Sequence, residues 1–96
     1  MASLSFTETT LDSGKVIYIA EISSQKGSIN VDLERETTGL ITVYHRLHGS
    51  TNYKGGISVP RALNVKDINF NIINEASEAS MDYQIVSDTN ATGLYS

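Results

Sequence analysis

The stretch SINVDLERETTGLITVYHRLH, Ser28 to His48, decides the fold. From Ser28 to Glu34, apolar Ile29, Val31 and Leu33 alternate with polar Asn30, Asp32 and Glu34. A period of two puts the first set on one face of a strand and the second on the other, whereas a helix would scatter both around its circumference. Thr37-Thr38-Gly39 interrupts the pattern, and the glycine offers the positive φ that a short hairpin loop uses. Leu40 to Leu47 is then rich in β-branched and aromatic residues, which suit a pleated, half-buried surface. Ile41, Val43, His45 and Leu47 share one face, and Leu40, Thr42, Tyr44 and Arg46 share the other. The stretch therefore predicts a β-hairpin. Its first strand has one wet face, and its second is apolar enough on both faces to be central in a sheet.

Upstream, Leu4 and Phe6 alternate with Ser3, Ser5 and Thr7, which predicts a strand at 3–10, and Asp12-Ser13-Gly14 is a turn signal. Lys15 to Ile22, KVIYIAEI, again carries apolar residues on both faces and predicts a second central strand. Ser23 to Gly27 returns the chain into the hairpin, so consecutive strands joined by short turns predict an antiparallel meander. Downstream, Gly49 to Gly56 has three glycines and no periodicity, and it reads as the longest clear loop. Ile57-Ser58-Val59 is a short strand piece that Pro60 confines to an edge or a strand end. Leu63 and Val65 fall out of step with Ile68, Phe70 and Ile72, which predicts a bulge or bend near Lys66-Asp67. Glu75 to Ser80 is small and polar, Met81, Tyr83 and Ile85 mark a further strand, and Leu94-Tyr95 can add a short final one. About six or seven short strands at this spacing predict an all-β fold. The expected form is a single small antiparallel β-sandwich spanning 1–96, with a small β-barrel as the alternative.

The totals exclude several classes. At 96 residues and 40% apolar, the chain is large enough for one core and no more. Seven Lys plus Arg against eleven Asp plus Glu give a net charge of −4, and no basic run appears. Nucleic acid is therefore not an expected partner, since phosphate binding needs a clustered positive field. Without cysteine there is no disulfide scaffold, no thiolate zinc site and no thiol nucleophile. The start, MASLSFTETT, lacks the basic and apolar regions of a signal peptide, and no segment approaches membrane-spanning length. Cytosolic synthesis and no membrane insertion are the expectations, with incorporation into a virion compatible with both.

Candidate chemistry is sparse. His45 and His48, three apart on a strand, point to opposite faces and do not share a metal, so His45 reads as a core-edge histidine. Asp67-Ile-Asn69-Phe-Asn71 begins like a calcium loop, but Ile72 stands where the turn glycine belongs and the distal glutamate is missing. Its alternation fits a strand with Asp67, Asn69 and Asn71 toward solvent. Glu34 and Glu36 share a face with Asp32, which reads as a solvated edge rather than as glycosidase carboxylates. Neither histidine has an acid partner in sequence range, so no triad is argued, and no cofactor motif is present. Asn90-Ala91-Thr92 is a glycosylation sequon, relevant only to an exported chain. The Gly49–Gly56 loop lacks the Gly-Lys-Ser/Thr ending of a phosphate loop. What it offers is Asn52, Tyr53 and Lys54 on a glycine frame, the composition that binding loops use.

These features predict a non-enzymatic structural or interaction module that engages a protein partner or itself. Its many Ser, Thr and Asn residues on strand faces fit a subunit or decoration protein of a larger assembly such as a virion. The alternative is a carbohydrate-binding, lectin-like module. There Tyr53, Tyr44 or Tyr18 would stack on a glycan, and the Asn69/Asn71 face would supply amide hydrogen bonds.

Overall fold

Alternating sequence becomes strand throughout the computed structural model, which describes residues 1–36, 39–58, 67–74 and 78–96. Among these residues there are nine strands and no helix. The strands are β1 (Ala2–Leu4), β2 (Thr7–Thr10), β3 (Val16–Gln25), β4 (Ile29–Arg35), β5 (Ile41–Leu47), β6 (Lys54–Ser58), β7 (Asp67–Ile72), β8 (Met81–Ser87) and β9 (Ala91–Tyr95). They form two antiparallel sheets, one of four strands in the order β1-β9-β4-β7 and one of five in the order β2-β3-β8-β5-β6. The sheets pack face to face and do not close, so the fold is a small β-sandwich, not a barrel.

The core lies between the two inner faces. The four-stranded sheet contributes Leu4, Ile29, Val31, Leu33 and Ile72; the five-stranded sheet contributes Ala20, Ile22, Ile41, Val43, Tyr83 and Ile85. Burying each large aliphatic among them stabilises the fold by about 1.5–3 kcal/mol. Phe6, Ile68, Phe70, Met81 and Tyr95 close the margins. The alternation from Ile29 runs one residue further than expected and carries Arg35 inward, where it is 3% exposed and donates from Nη1 to the Gly39 carbonyl at 2.7 Å.

The predicted hairpin is not formed. β4 and β5 lie in different sheets, so Ser28–His48 is a crossover from one layer to the other. Both strands do turn their apolar faces to the core, but they do so from opposite sides of it. Gly39, moreover, does not take the positive φ expected of it. It sits where the chain passes Asp88 and Thr89, and a Cβ there would lie 3.3 Å from Asp88 Cβ. The meander fails for the same reason, because β3 pairs with β2 and β8 and not with β4. The expected strand at 3–10 is split by Ser5 and Phe6, its two halves joining different sheets. That split, together with β9, raises the strand count to nine. The Gly49–Gly56 loop is also shorter than expected, since Lys54, Gly55 and Gly56 already belong to β6. Thr37, Thr38, Val59, Pro60, Leu63, Val65, Lys66 and residues 75–77 lie outside the described residues.

One glycine is fixed by close approach. Gly93 lies in the row Leu4–Gly93–Leu33 across β1, β9 and β4. A Cβ at this position would stand 2.5 Å from Leu33 Cδ2 and 2.6 Å from the Asp32 carbonyl oxygen. Leu33 reaches its buried position by crossing over the bare Cα. Gly93→Ala is therefore expected to cost ~1–3 kcal/mol through overpacking, measured as a lower urea midpoint with an unchanged slope. An unaltered midpoint would contradict this packing.

Candidate functional site

Polar groups converge at one end of the five-stranded sheet, around a carboxylate that the alternation of β8 turns away from the core. Tyr83 and Ile85 face inward, so Asp82 falls on the outer face, directly across from Arg46 on β5. It is nevertheless only 2% exposed. A buried carboxylate is stable only if its oxygens are satisfied, and here neighbouring elements supply the donors. The Ser24 backbone N–H donates to Oδ1 at 2.8 Å, and the Ser23 hydroxyl to the same oxygen at 3.2 Å. His48 Nδ1 is also 2.8 Å from Oδ1, and Arg46 Nε donates to Oδ2 at 2.9 Å.

The β3 contribution depends on a bulge. Ile22 pairs with Tyr83 and Gln25 with Met81, so three steps on β3 match two on β8. Within the bulge Ser24 takes a φ of 56°, the one non-glycine positive φ among the described residues. Non-glycine residues rarely adopt this conformation. Here it turns the Ser24 N–H out of the ladder and onto the carboxylate. That bond is the main reason the Asp82 carboxyl is held well below the usual carboxylate range, against the opposing effect of burial; His48, Arg46 and Ser23 add to the depression.

The loop residues proposed for binding are organised by the same cluster. Tyr53 is half-buried, and its ring lies under the Arg46 guanidinium, 4.3 Å from Arg46 Cζ to the ring centroid. Burial and the nearby Glu21 push the Tyr53 phenol upward, with Arg46 opposing them. Asn52 and Lys54 are exposed on either side of it. The loop is tied down further by the His48 N–H to the Ser80 carbonyl at 2.9 Å and by the Ser50 hydroxyl to the Leu47 carbonyl at 2.7 Å. Tyr53 thus has one ring face taken by Arg46 and is part of a built structure.

The pairing of His48 with Asp82, which comes from 34 residues away, is an acid partner that the sequence order conceals. A carboxylate can only accept, so Nδ1 carries a proton and donates it to Asp82, from a side chain 52% exposed; Nε2 is an acceptor only in the neutral imidazole. This is the orienting half of a general-base arrangement. The nearby hydroxyls are engaged elsewhere: Ser50 donates to Leu47 and Ser23 to Asp82 itself. Among the described residues, no group of three or more His, Asp or Glu side chains is arranged to hold a metal ion. His45 is on the opposite face as expected, half-buried beside Gly55, where a Cβ would come within 2.9 Å of its Cε1.

The second candidate region is the outer face of the four-stranded sheet. Cross-strand pairs Asn30–Asn71, Asp32–Asn69 and Glu34–Asp67 form a polar ladder there. Asp67, Asn69 and Asn71 are exposed on a strand, in accord with the sequence reading. An open depression of about 680 Å³ is lined by Ser3, Asp32, Glu34, Asp67, Asn69 and Thr92, among others. The structure does not bring the aromatic and amide halves of the proposed glycan site together. Tyr44 and Tyr53 belong to the five-stranded side, Asn69 and Asn71 to the other outer face, and the Tyr18 hydroxyl donates to Glu8 at 3.4 Å. No helix among the described residues is long and apolar enough to cross a membrane. No family model, curated protein or solved structure matches the chain.

Because its carboxyl is depressed in the folded state, Asp82 contributes stability that is fully present above its unfolded value of about 4 and is lost as pH falls below it. The unfolding free energy of the wild type is expected to drop between about pH 5 and pH 2, more steeply than that of Asp82→Ala. Parallel pH profiles for the two proteins would contradict the assignment. At neutral pH, Asp82→Ala strands buried donors and is expected to cost ~2–4 kcal/mol in denaturant unfolding.

Proposed function

We propose that the chain is a non-enzymatic structural or interaction module that works through its sheet surfaces, as a subunit or decoration protein of a larger assembly such as a virion. The observation that carries this reading is the composition of the five-stranded sheet's outer face. Where an antiparallel sheet meets water, its outer face is normally polar, and the four-stranded sheet follows the rule except at Leu94. On the five-stranded sheet the outward positions of β3, β8 and β5 include Ile17, Ile19, Val86 and Tyr44. Ile19 is directly opposite Val86, and Val86 is flanked on its other side by Thr42. The Tyr44 ring lies over β6, where a Cβ at Gly56 would be 3.1 Å from its Cε1. All four side chains are half-buried; Ile17 and Ile19 on β3 and Val86 across from Ile19 on β8 form an apolar band, with Tyr44 beyond it on β5, opposite Gln84.

Such a band adds nothing to the core and gains stabilisation only when something covers it. A reaction site needs a cleft that excludes water, whereas an assembly surface needs a broad face with an apolar centre and a polar margin. Thr7, Thr9, Glu21 and Gln84 supply that margin here. The Asp82 cluster then acts as a brace at one end of the face, holding Tyr53 and the 48–53 loop against the sheet.

Association is the test. Sedimentation or light scattering of the purified chain, alone and with candidate assembly partners, should show concentration-dependent association. Ile19→Lys and Val86→Lys should each abolish it while leaving the denaturant midpoint within about 0.5 kcal/mol of wild type, as expected for outer-face substitutions. A chain that associates with nothing, yet gives a glycan-array signal that Tyr53→Ala removes, would replace this reading with the carbohydrate-binding one.

A further inference from the structure

We infer that Arg46 is an oxyanion-binding residue, whose guanidinium, fixed between Asp82 and Tyr53, presents its two Nη groups to a carboxylate or phosphate at one end of the five-stranded sheet's outer face. The inference goes beyond the interaction-module reading and does not depend on it.

The Arg46–Asp82 contact is made in an uneconomical way for an ion pair. The strongest arginine–carboxylate pairs are bidentate, with two parallel N–H donors on the two oxygens. Here the carboxylate takes a single donor from Arg46, Nε at 2.9 Å on Oδ2. Its other oxygen is filled by the Ser24 N–H, the Ser23 hydroxyl and His48. Neither Nη group of Arg46 donates to a partner among the described residues. Neither is a buried atom left without a partner, so both reach solvent, on a side chain 27% exposed. An arginine placed only to neutralise Asp82 would turn its fork to the acid. This one is held by Nε and keeps both Nη groups free.

It is also held still. A long side chain that becomes ordered only on binding loses rotamer freedom, which weakens the complex. Tyr53 removes that freedom on one side, with its ring centroid 4.3 Å from Arg46 Cζ and its loop tied to the sheet through His48 and Ser50. Asp82 removes it on the other side, 2% exposed and held by the β3 bulge. A guanidinium is weakly hydrated, always charged and planar, and its paired N–H groups match a carboxylate or phosphate.

Charge sets how strongly the site can act. Asp82 offsets Arg46, and Glu21, opposite Gln84, is near enough to be felt by both Arg46 and Tyr53 while making no ion pair with Arg46. The cluster therefore has no positive excess to steer an anion from a distance, and it acts through directed hydrogen bonds at contact. That suits a single oxyanion and not a polyanion such as nucleic acid. The affinity is accordingly low, with a Kd of about 1–10 mM.

Titration with sodium acetate and with sodium phosphate, at neutral pH and at an ionic strength held constant with sodium chloride, tests the site by NMR. The Arg46 side-chain N–H and Tyr53 ring signals should shift saturably for at least one anion, with a Kd of about 1–10 mM. The tighter of the two identifies the group as planar or tetrahedral. Arg46→Lys, which keeps the charge and loses the fork, should weaken binding ~5-fold or more, read on the Tyr53 ring. Tyr53→Leu, which keeps the charge and frees the guanidinium, should weaken it ~3-fold or more. Lys15→Gln, before the far end of β3 and paired with Asp88, should leave the Kd within about 2-fold. Shifts that never saturate, shifts that sodium chloride alone reproduces, or a Kd unchanged in either Arg46→Lys or Tyr53→Leu with its unfolding midpoint retained would overturn the inference. None of these outcomes bears on the association that Ile19→Lys tests.

Discussion

A single buried anion holds one end of this sandwich together. The Asp82 carboxylate draws on a β3 backbone N–H, a β3 hydroxyl, the β5 guanidinium and the imidazole that follows β5. Hydrogen bonds to an ionised acceptor are about twice as strong as neutral ones. That strength is what makes the Ser24 conformation tenable, since a positive φ in a side-chain-bearing residue costs ~1–2 kcal/mol. Without the carboxylate the bulge would have no reason to form, and β3 would run past β8 in the wrong register beyond Ile22. The pairing and the charge cluster support one another, so the end of the sheet is specified as a unit.

The same sheet carries a second bulge two rows away, at Gly55–Gly56 on β6. Bulges increase local twist and bend the strand that bears them. One lies on each side of the β8–β5 pair, and the 48–53 loop places Tyr53 under Arg46 on the outer face of this end. The glycines there serve packing: each leaves room for an aromatic ring of β5, Gly55 for His45 and Gly56 for Tyr44. A loop that reads in sequence as a flexible glycine frame is for that reason partly strand and partly braced.

Which face of β4 and of β5 is buried was legible in the sequence; which layer each strand joins was not. Ile29, Val31 and Leu33 alternate inward as expected, as do Ile41 and Val43. Alternation, however, reports only that a face meets the core, and in a sandwich the core is met from two sides. Thr37-Thr38-Gly39 reads equally as the tip of a hairpin or as a crossing between sheets, and only the partners β9 and β8, more than 30 residues later in sequence, decide for the crossing. The Asp82 site was hidden by the same limit. Arg46 and His48, two apart on β5 and just beyond it, were a visible hint of donors on one side of the strand, but the acceptor they share comes from β8. The Ser24 conformation left no trace in composition, because serine in that position is set by the carboxylate it serves.

The doubly apolar strands show how an inference can reach the right position for an incomplete reason. KVIYIAEI and LITVYHRL were expected to be central, and β3 and β5 do lie within their sheet. Yet β4 is just as central in the other sheet, between β9 and β7, and its outer face is Asn30, Asp32 and Glu34. Position within a sheet governs hydrogen-bond partners at the two edges of a strand, and it makes no demand on the face turned away from the core. Ile17, Ile19 and Tyr44 are therefore not explained by where their strands lie. What separates the two sheets is the composition of their outer faces, and in the proposed assembly the apolar face would meet a partner and the Asn and carboxylate face would meet water.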